Sequence, residues 1–214
     1  MKVFVFNGSR HRANSVCCMW IDQFMQLLKM SAPESIEFLS HGMENIQFCS
    51  GCQECFKTGM YLCSDSMNLI RSDMLASDVI VLVSPVYNNS ISGSTKVFLD
   101  RISCWTHLFK LAGKYAILVT VSDRKNMNGA MEYLKYISDF LGLYVVDSVV
   151  VEKENLTASS SEIEDKYEEL YADCGYDNVE DMKKDYTDKE IEEAVLLDKA
   201  MDVVYDNANI TKSY

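Results

Sequence analysis

The sequence predicts an α/β protein built on a doubly wound, five-stranded parallel sheet, and three observations lead to this fold class. The chain has 214 residues, which is enough for one α/β domain with a full hydrophobic core. Short apolar runs alternate with amphipathic stretches of helical period along residues 1–151. The central runs are apolar on both faces, as expected for parallel strands that helices cover on each side.

Five apolar runs are predicted strands, and four amphipathic stretches between them are predicted helices. The predicted strands are 2–6, 36–40, 78–84, 115–121 and 143–151, and the predicted helices are 15–29, 66–76, 94–110 and 127–141. In sheets of this kind, ligands bind beyond the carboxyl ends of the strands, where the strand order reverses. The loops 7–15, 84–93 and 122–128 leave those ends and therefore form the candidate site.

The acidic excess lies at the end of the chain. Residues 1–151 hold 13 acidic and 13 basic side chains, whereas residues 152–214 hold 19 and 7, so the net charge of −12 belongs to the second part. We predict a domain over 1–151 and an acidic, mostly helical C-terminal extension over 152–214. Apolar stripes at helical spacing predict that the extension packs on the body or on a second subunit. The chain offers no basic surface for nucleic acid.

Two further properties of the sequence concern the compartment. The chain has no apolar run of eighteen residues and no signal-peptide layout at its N-terminus, so we expect a cytoplasmic protein without a membrane span. The eight cysteines are then expected to be thiols, metal ligands or redox groups rather than a disulfide framework.

The 7–15 loop joins a buried strand to a helix and carries short polar side chains. Unpaired N–H groups at a helix N-terminus attract a phosphate, and Ser9, Asn14 and Ser15 add hydrogen-bond donors. With the single glycine Gly8, the loop matches neither the dinucleotide fingerprint nor the nucleoside-triphosphate loop, so both interpretations are weakly supported. An ordinary helix N-cap by Asn14 or Ser15 is the alternative interpretation.

The 84–93 loop combines a proline, an aromatic side chain, two amides and hydroxyls. Tyr87 can flank a flat ring, and Asn88 and Asn89 can meet its polar edge. A polar surface turn is the alternative, because proline, asparagine, serine and glycine are common in turns. Taken together, the 7–15 and 84–93 loops would hold the two ends of a flavin mononucleotide at one sheet edge.

Four cysteines lie within one short segment: Cys49, Cys52, Cys55 and Cys63. Compact spacing of this kind allows one loop to wrap a [4Fe–4S] cluster, since each iron takes one thiolate. Zinc is a second possibility on geometry. Reduced thiols that pack a loop at a subunit contact are the third.

Three blocks of the sequence resemble the flavodoxin-like family of NAD(P)H-dependent FMN reductases, in particular its iron-sulfur flavoprotein branch. The blocks are Gly8-Ser9-Arg10 with Asn14-Ser15, the cysteine segment from Cys49 through Gly59 to Asp65-Ser66-Met67, and Ser84-Pro85-Val86-Tyr87 through Gly93 to Arg101. The resemblance covers about residues 1–150. In the family pattern the fourth cysteine falls at Tyr61, so Cys63 is displaced by two positions.

The resemblance implies both a binding site and an activity. Ser9, Asn14 and Ser15 would hold the FMN phosphate with Arg10 or Arg12, the residues Pro85, Val86, Tyr87, Asn88 and Asn89 would line the ribityl chain and ring, and Ser122 would begin a third contact loop. The implied activity is hydride transfer from NAD(P)H through FMN to quinones, flavins or other small acceptors, by a homodimer or homotetramer. The alternative is an iron-sulfur flavoprotein or FMN electron carrier that passes single electrons to a protein partner or an oxygen species. No catalytic side chain is expected, because the cofactor carries the chemistry.

Overall fold

A computed structural model describes residues 1–11, 15–31, 36–43, 45–123 and 128–152. In chain order the elements are β1 (Lys2–Asn7), α1 (Val16–Ser31), β2 (Glu37–His41), α2 (Glu54–Thr58), α3 (Met67–Ala76), β3 (Val79–Tyr87), β4 (Ser90–Ile91), α4 (Gly93–Asp100), α5 (Trp105–Leu108), β5 (Tyr115–Ser122), α6 (Gly129–Leu141) and β6 (Tyr144–Glu152). Five strands are parallel in the order β2-β1-β3-β5-β6, and the short β4 pairs antiparallel with β3. The predicted five-stranded, doubly wound parallel sheet is confirmed.

The core has two layers, one on each face of the sheet. Successive side chains of a strand point to opposite faces, and β1 shows how both faces are used. Val3 and Val5 pack with Trp20 of α1, whereas Phe4 and Phe6 pack in the layer formed with α3, α4 and α6. Because helices cover both faces of the sheet, the strands are continuous apolar runs and do not alternate between apolar and polar residues.

One predicted helix is wrong, because it is two helices in the structure, and two short elements were not predicted. The stretch 94–110 forms α4 and α5 with a turn between them. At the end of α4 the Arg101 N–H bonds both the Val97 and Phe98 carbonyl oxygens, which tightens the last turn, and the Arg101 side chain is buried against Asp65. This long-range ion pair favours a helix end that helical spacing alone does not reveal. Both α2 and β4 are too short to show a period.

The predicted C-terminal extension lies, apart from Glu152, outside the described residues, and so do the predicted phosphate ligands Arg12 and Asn14. Its predicted helices and its packing therefore stay predictions. Within the described ranges, no helix has both the length and the apolar character that crossing a membrane requires.

Candidate functional site

The 7–15 loop turns sharply at its start because polar side chains bond its backbone. The Ser9 N–H donates to Asn7 Oδ1 at 2.9 Å, and the His11 N–H donates to Ser9 Oγ at 3.3 Å. The Gly8 N–H donates to the Val83 carbonyl oxygen of β3 at 2.7 Å. The loop therefore leaves β1 already fastened to the neighbouring strand, and it buries the predicted phosphate ligand Ser9 while Arg10 stays exposed.

Ser15 caps α1, as the alternative interpretation of this loop predicts. Its Oγ accepts from the Cys18 N–H at 3.2 Å, and its carbonyl oxygen accepts from the Met19 N–H at 3.0 Å. The hydroxyl hydrogen of Ser15 is still available to a ligand, because the cap uses the oxygen as an acceptor. The first turn of α1 carries no acidic side chain, so its field favours an anion.

A buried hydroxyl network ties the 7–15 loop to the 84–93 loop. Ser92 Oγ donates to the Gly8 carbonyl oxygen at 2.9 Å and lies 2.9 Å from Thr95 Oγ1. Thr95 Oγ1 in turn donates to Ser84 Oγ at 2.9 Å, and the Ser92 N–H donates to the same atom at 3.1 Å. Sequence reasoning missed Thr95 and the structural role of Ser92, because nothing in a polar loop indicates which hydroxyls become buried.

Gly8 is required at this junction by close approach. A Cβ atom built on Gly8 would lie 1.9 Å from Thr95 Oγ1 and 3.0 Å from the Val83 carbonyl oxygen. Both distances are below van der Waals contact, so no larger residue fits here without movement of the network. The glycine that the sequence shows in the 7–15 loop therefore serves packing between two loops.

The 84–93 loop is a tight β-hairpin between β3 and β4. Tyr87 pairs with Ser90, and the two turn residues Asn88 and Asn89 have φ of 50° and 57°. Asparagine tolerates this left-handed conformation, which two-residue hairpins need. The hairpin presents Tyr87 with 53% of its surface exposed, whereas Pro85 is buried within β3.

Asn89 also joins this hairpin to the third loop. Its Oδ1 accepts from the Gly129 N–H at 3.0 Å at the start of α6. A Cβ atom on Gly129 would lie 2.3 Å from the Asn89 carbonyl oxygen. Ser122, predicted to begin the third contact loop, is buried at the end of β5. The start of the loop after β1 and the start of α6 are thus both bonded to the segment 84–93 at one sheet edge.

A cavity of about 410 Å³ lies on the other side of the 7–15 loop, between α1 and β2. Asn7, Ser9 and Arg10 line it together with side chains of α1 and the end of β2. His41 at that end is paired with Asp73, with 2.7 Å between Nε2 and Oδ2. Among the described residues, the lining of this cavity includes none from the 84–93 loop. The predicted ring-binding residues therefore lie at the β1, β3 and β5 edge, apart from it.

The four cysteines of the predicted cluster, Cys49, Cys52, Cys55 and Cys63, line one small pocket of about 40 Å³. A hydrogen bond from the Glu54 N–H and a second from Ser50 lower the pKa of Cys52, whereas burial and the neighbouring thiols raise the pKa of Cys55. In the described ranges, no three histidine, cysteine or acidic side chains are arranged to hold a metal ion. The four thiols therefore share one pocket but are not arranged in it to bind a metal ion.

A buried ion pair supports the wall of this pocket. Arg101 Nη1 is paired with Asp65 Oδ2, and both side chains are almost fully buried. Arg101 also donates to the carbonyl oxygen of Gln47 at 2.7 Å. Burial alone would raise the pKa of Asp65, but the hydrogen bonds from Arg101 and from the N–H groups of Gln47 and Met67 lower it below its ordinary value. The pair anchors the segment before α3 to the end of α4.

Comparison with known proteins decides the family. The family model described as NADPH-dependent FMN reductase matches residues 1–156. The chain belongs to this family of FMN-dependent reductases. An iron-sulfur flavoprotein of Archaeoglobus fulgidus is 29% identical over 121 residues, which cover 56% of this chain and 54% of that protein. An FMN-dependent NADH:quinone oxidoreductase of Pseudomonas putida is 28% identical over 108 residues, which cover 44% of this chain and 54% of that protein. The chain thus spans about half the length of each of these relatives.

Comparison with a solved structure confirms the fold. An oxidoreductase from Corynebacterium diphtheriae superimposes with a TM-score of 0.59 at 14% identity, covering 97% of this chain and 94% of that one. At such low identity the likeness concerns the fold alone. The flavodoxin-like doubly wound sheet expected from the sequence is confirmed by this match and by the strand order.

Proposed function

We propose that the protein is an FMN-dependent oxidoreductase that takes hydride from NAD(P)H and reduces quinones, flavins or other small acceptors. The observation that carries the proposal is that the loop after β1 and the start of α6 are both bonded to the segment 84–93 at one sheet edge: Ser92 holds Gly8, and Asn89 holds Gly129. Membership of the NADPH-dependent FMN reductase family supports the same cofactor. The carboxyl edge of a doubly wound sheet is also where such folds bind their ligands.

The phosphate end of FMN would lie over the N-terminus of α1. Ser9 and Ser15 offer hydroxyl donors there, the first turn of α1 carries no acid, and Arg10 is exposed nearby. Backbone N–H groups of the first helical turn have no partner within the helix, so they can donate to phosphate oxygens. Arg12 and Asn14 complete the proposed set.

The ring end of FMN would lie against the β3–β4 hairpin. The left-handed turn at Asn88 and Asn89 holds Tyr87 outward, where its ring can stack on or beside a flat heterocycle. Val86 is half-buried behind it, and Ser122 is buried on the neighbouring strand. FMN, when bound, accepts a hydride and releases electrons one or two at a time. The role of these residues is to hold the ring with one face open to donor and acceptor.

An FMN titration combined with a turnover assay tests this proposal. The purified chain should bind FMN, quenching its fluorescence, and then oxidise NADH or NADPH when a quinone is supplied. Tyr87→Ala should alter the flavin absorbance bands, whereas Tyr136→Ala, an equally exposed tyrosine on α6, should not. FMN binding without sustained NAD(P)H oxidation would favour an FMN electron carrier. Absence of FMN binding would refute both the oxidoreductase and the electron carrier.

An iron-sulfur flavoprotein is the second candidate, favoured by the pocket that Cys49, Cys52, Cys55 and Cys63 share. The Archaeoglobus relative carries that name. The thiolates are the chemically correct ligands, although they must move to hold a cluster. Protein prepared without oxygen should contain about four irons and as many sulfides per chain if a cubane is present. If protein prepared without oxygen contains flavin but no iron, only the FMN reductase without a cluster remains as a candidate.

The proposed functional unit is a homodimer or homotetramer. Large apolar side chains stand exposed around the cysteine pocket, among them Phe48 with 79% and Leu62 with 69% of their surfaces exposed. Exposed apolar patches of this kind mark contact surfaces. The mass in solution should exceed that of one chain, and Phe48→Asp should lower it; a monomeric wild-type protein would contradict this part of the proposal.

A further inference from the structure

The cavity of about 410 Å³ between α1 and β2 adjoins the proposed FMN site but is not used by it. Its size lies within the range of about 300–1,000 Å³ that is usual for small-molecule sites. Ser9 and Arg10, which belong to the proposed phosphate site, are part of its lining. A ligand whose phosphate is held at these two residues can therefore extend into the cavity.

The apolar part of the cavity lining suits a flat heterocycle. Met25 of α1 and Met43 after β2 contribute thioether side chains, and Val5 and Ile21 contribute aliphatic ones. Thioether sulfur makes favourable contacts with aromatic rings. Ser40 Oγ of β2 donates to Met25 Sδ at 3.5 Å, so a hydroxyl group lies beside this apolar surface.

The polar part of the lining is held in place by hydrogen bonds. Asn7 Nδ2 donates to Cys18 Sγ at 3.1 Å, and Asn7 Oδ1 accepts from the Ser9 N–H at 2.9 Å. At the end of β2, His41 Nε2 lies 2.7 Å from Asp73 Oδ2. Polar side chains that are already fixed lose little conformational entropy when they bind a ligand. They are therefore suited to the hydroxyl groups of a sugar and the polar edge of a base.

We propose that this cavity binds the adenosine part of FAD, so that the protein accepts FAD as well as FMN. The inference rests on the proposed flavin site. Its basis is the order of three features: the β3–β4 hairpin proposed for the ring is bonded to the 7–15 loop through Ser92, and Ser9 and Arg10 of that loop also line the cavity. Ring, phosphates and adenosine follow one another in the same order within FAD. Asp22 of α1 also lines the cavity and offers a carboxylate to the ribose hydroxyls.

Calorimetric titration of the full-length protein, freed of flavin, with FAD and with FMN tests this inference. FAD should bind roughly tenfold more tightly, because it makes the contacts of FMN and adds those of the cavity. Ser40→Trp places a large side chain in the cavity from β2, so it should abolish this advantage and leave the FMN affinity unchanged. Glu37→Trp is the matched control, because Glu37 begins the same strand and does not line the cavity. It should change neither affinity.

Alkylation of Cys18 supplies a second measurement, which needs no variant if Ser40→Trp does not fold. The Cys18 side chain lines the cavity, so saturating FAD should abolish its labelling by iodoacetamide in peptide maps. FMN ends at the phosphate and should leave Cys18 reactive. Burial raises the pKa of the adjacent Cys17 to about 12, so Cys17 should stay unlabelled throughout.

Four results would overturn the inference while the proposed function stands. The first is an FMN affinity equal to that for FAD in the wild type, and the second is an FAD affinity that Ser40→Trp does not change. The third is an equal loss of both affinities in Ser40→Trp, which would mean that the variant disturbs the phosphate site. The fourth is a raised KM for NADPH in Ser40→Trp with both flavin affinities unchanged, which would assign the cavity to the adenosine part of the nicotinamide donor. Absence of binding by either flavin would refute the proposed function itself.

Discussion

Replacing Gly8 by alanine should break the junction that holds the loops of the candidate site together. The added methyl would lie 1.9 Å from Thr95 Oγ1 and 3.0 Å from the Val83 carbonyl oxygen, so either the threonine or the 7–15 loop must move. Forcing a methyl into a packed position costs about 1–3 kcal/mol. Movement also weakens the Gly8 N–H bond to Val83 and the Ser92 bond to Gly8, at about 1 kcal/mol each.

The free energy of unfolding should therefore fall by about 3–5 kcal/mol, the sum of these contributions. In a urea titration this lowers the midpoint by roughly 1–2 M, given a slope of about 3 kcal/mol per M, the upper end of the usual range because the slope rises with chain size. FMN affinity should fall as well, because the 7–15 loop is displaced from α1. Circular dichroism during the titration and flavin fluorescence measure the two effects separately.

Gly93→Ala is the matched control, because a Cβ atom on Gly93 meets nothing within 4 Å and the residue opens α4. It should leave stability unchanged or raise it slightly. A second test removes the obstacle: in a Thr95→Ala background, Gly8→Ala should cost at least about 1 kcal/mol less than in the wild type. Gly8→Ala with the stability and FMN affinity of Gly93→Ala would refute the close-approach argument.

Four further predictions concern the binding loops, the buried ion pair and the end of the chain. The double variant Asn14→Ala with Ser15→Ala should weaken FMN binding by about 1–3 kcal/mol in a fluorescence titration, since two donors to the phosphate are removed. Tyr87→Ala should shift the flavin reduction potential, measured by dye equilibration, because an aromatic neighbour of the ring is lost. Asp65→Asn should lower the free energy of unfolding at neutral pH by about 3–5 kcal/mol, as its buried guanidinium partner loses its counter-charge. Deleting 155–214 should cause aggregation or loss of the native oligomer in light scattering, since it exposes the surface that the two predicted apolar stripes would cover.

Each of these outcomes has a clear contrary result. If the double variant binds FMN with wild-type affinity, the phosphate does not bind at the N-terminus of α1. If Tyr87→Ala leaves the flavin reduction potential unchanged, the ring does not lie beside Tyr87. Because the folded pKa of Asp65 is lowered, its contribution to stability is present above its ordinary pKa of 3.8 and is lost as pH falls below that value. The difference between wild type and Asp65→Asn should therefore narrow in acid, and a difference independent of pH would contradict the ion-pair explanation. A soluble truncation that keeps the number of subunits and the melting temperature of the wild type would show that 155–214 is an independent appendage.

The sequence by itself determined the sheet and predicted the sheet edge at which the candidate site lies. Strand periodicity and helical stripes depend on neighbouring residues, so they identified the five parallel strands to within a few residues at each end. Because parallel strands end at a common edge, the loops that follow them were correctly expected to lie together. The four-cysteine segment was likewise visible from spacing, and the structure places those side chains around one pocket.

Only the tertiary structure decided which side chains meet across long stretches of chain. Three contacts depend on strand register and helix placement: the Ser84, Ser92 and Thr95 network, the Asp65–Arg101 pair at the end of α4, and the hydrogen bond between Tyr61 and Cys104. Hydroxyls, charges and thiols have the same local pattern whether they face solvent or one another. Their partners become definite only when burial removes water, because an unpaired polar group then costs free energy and a paired one does not.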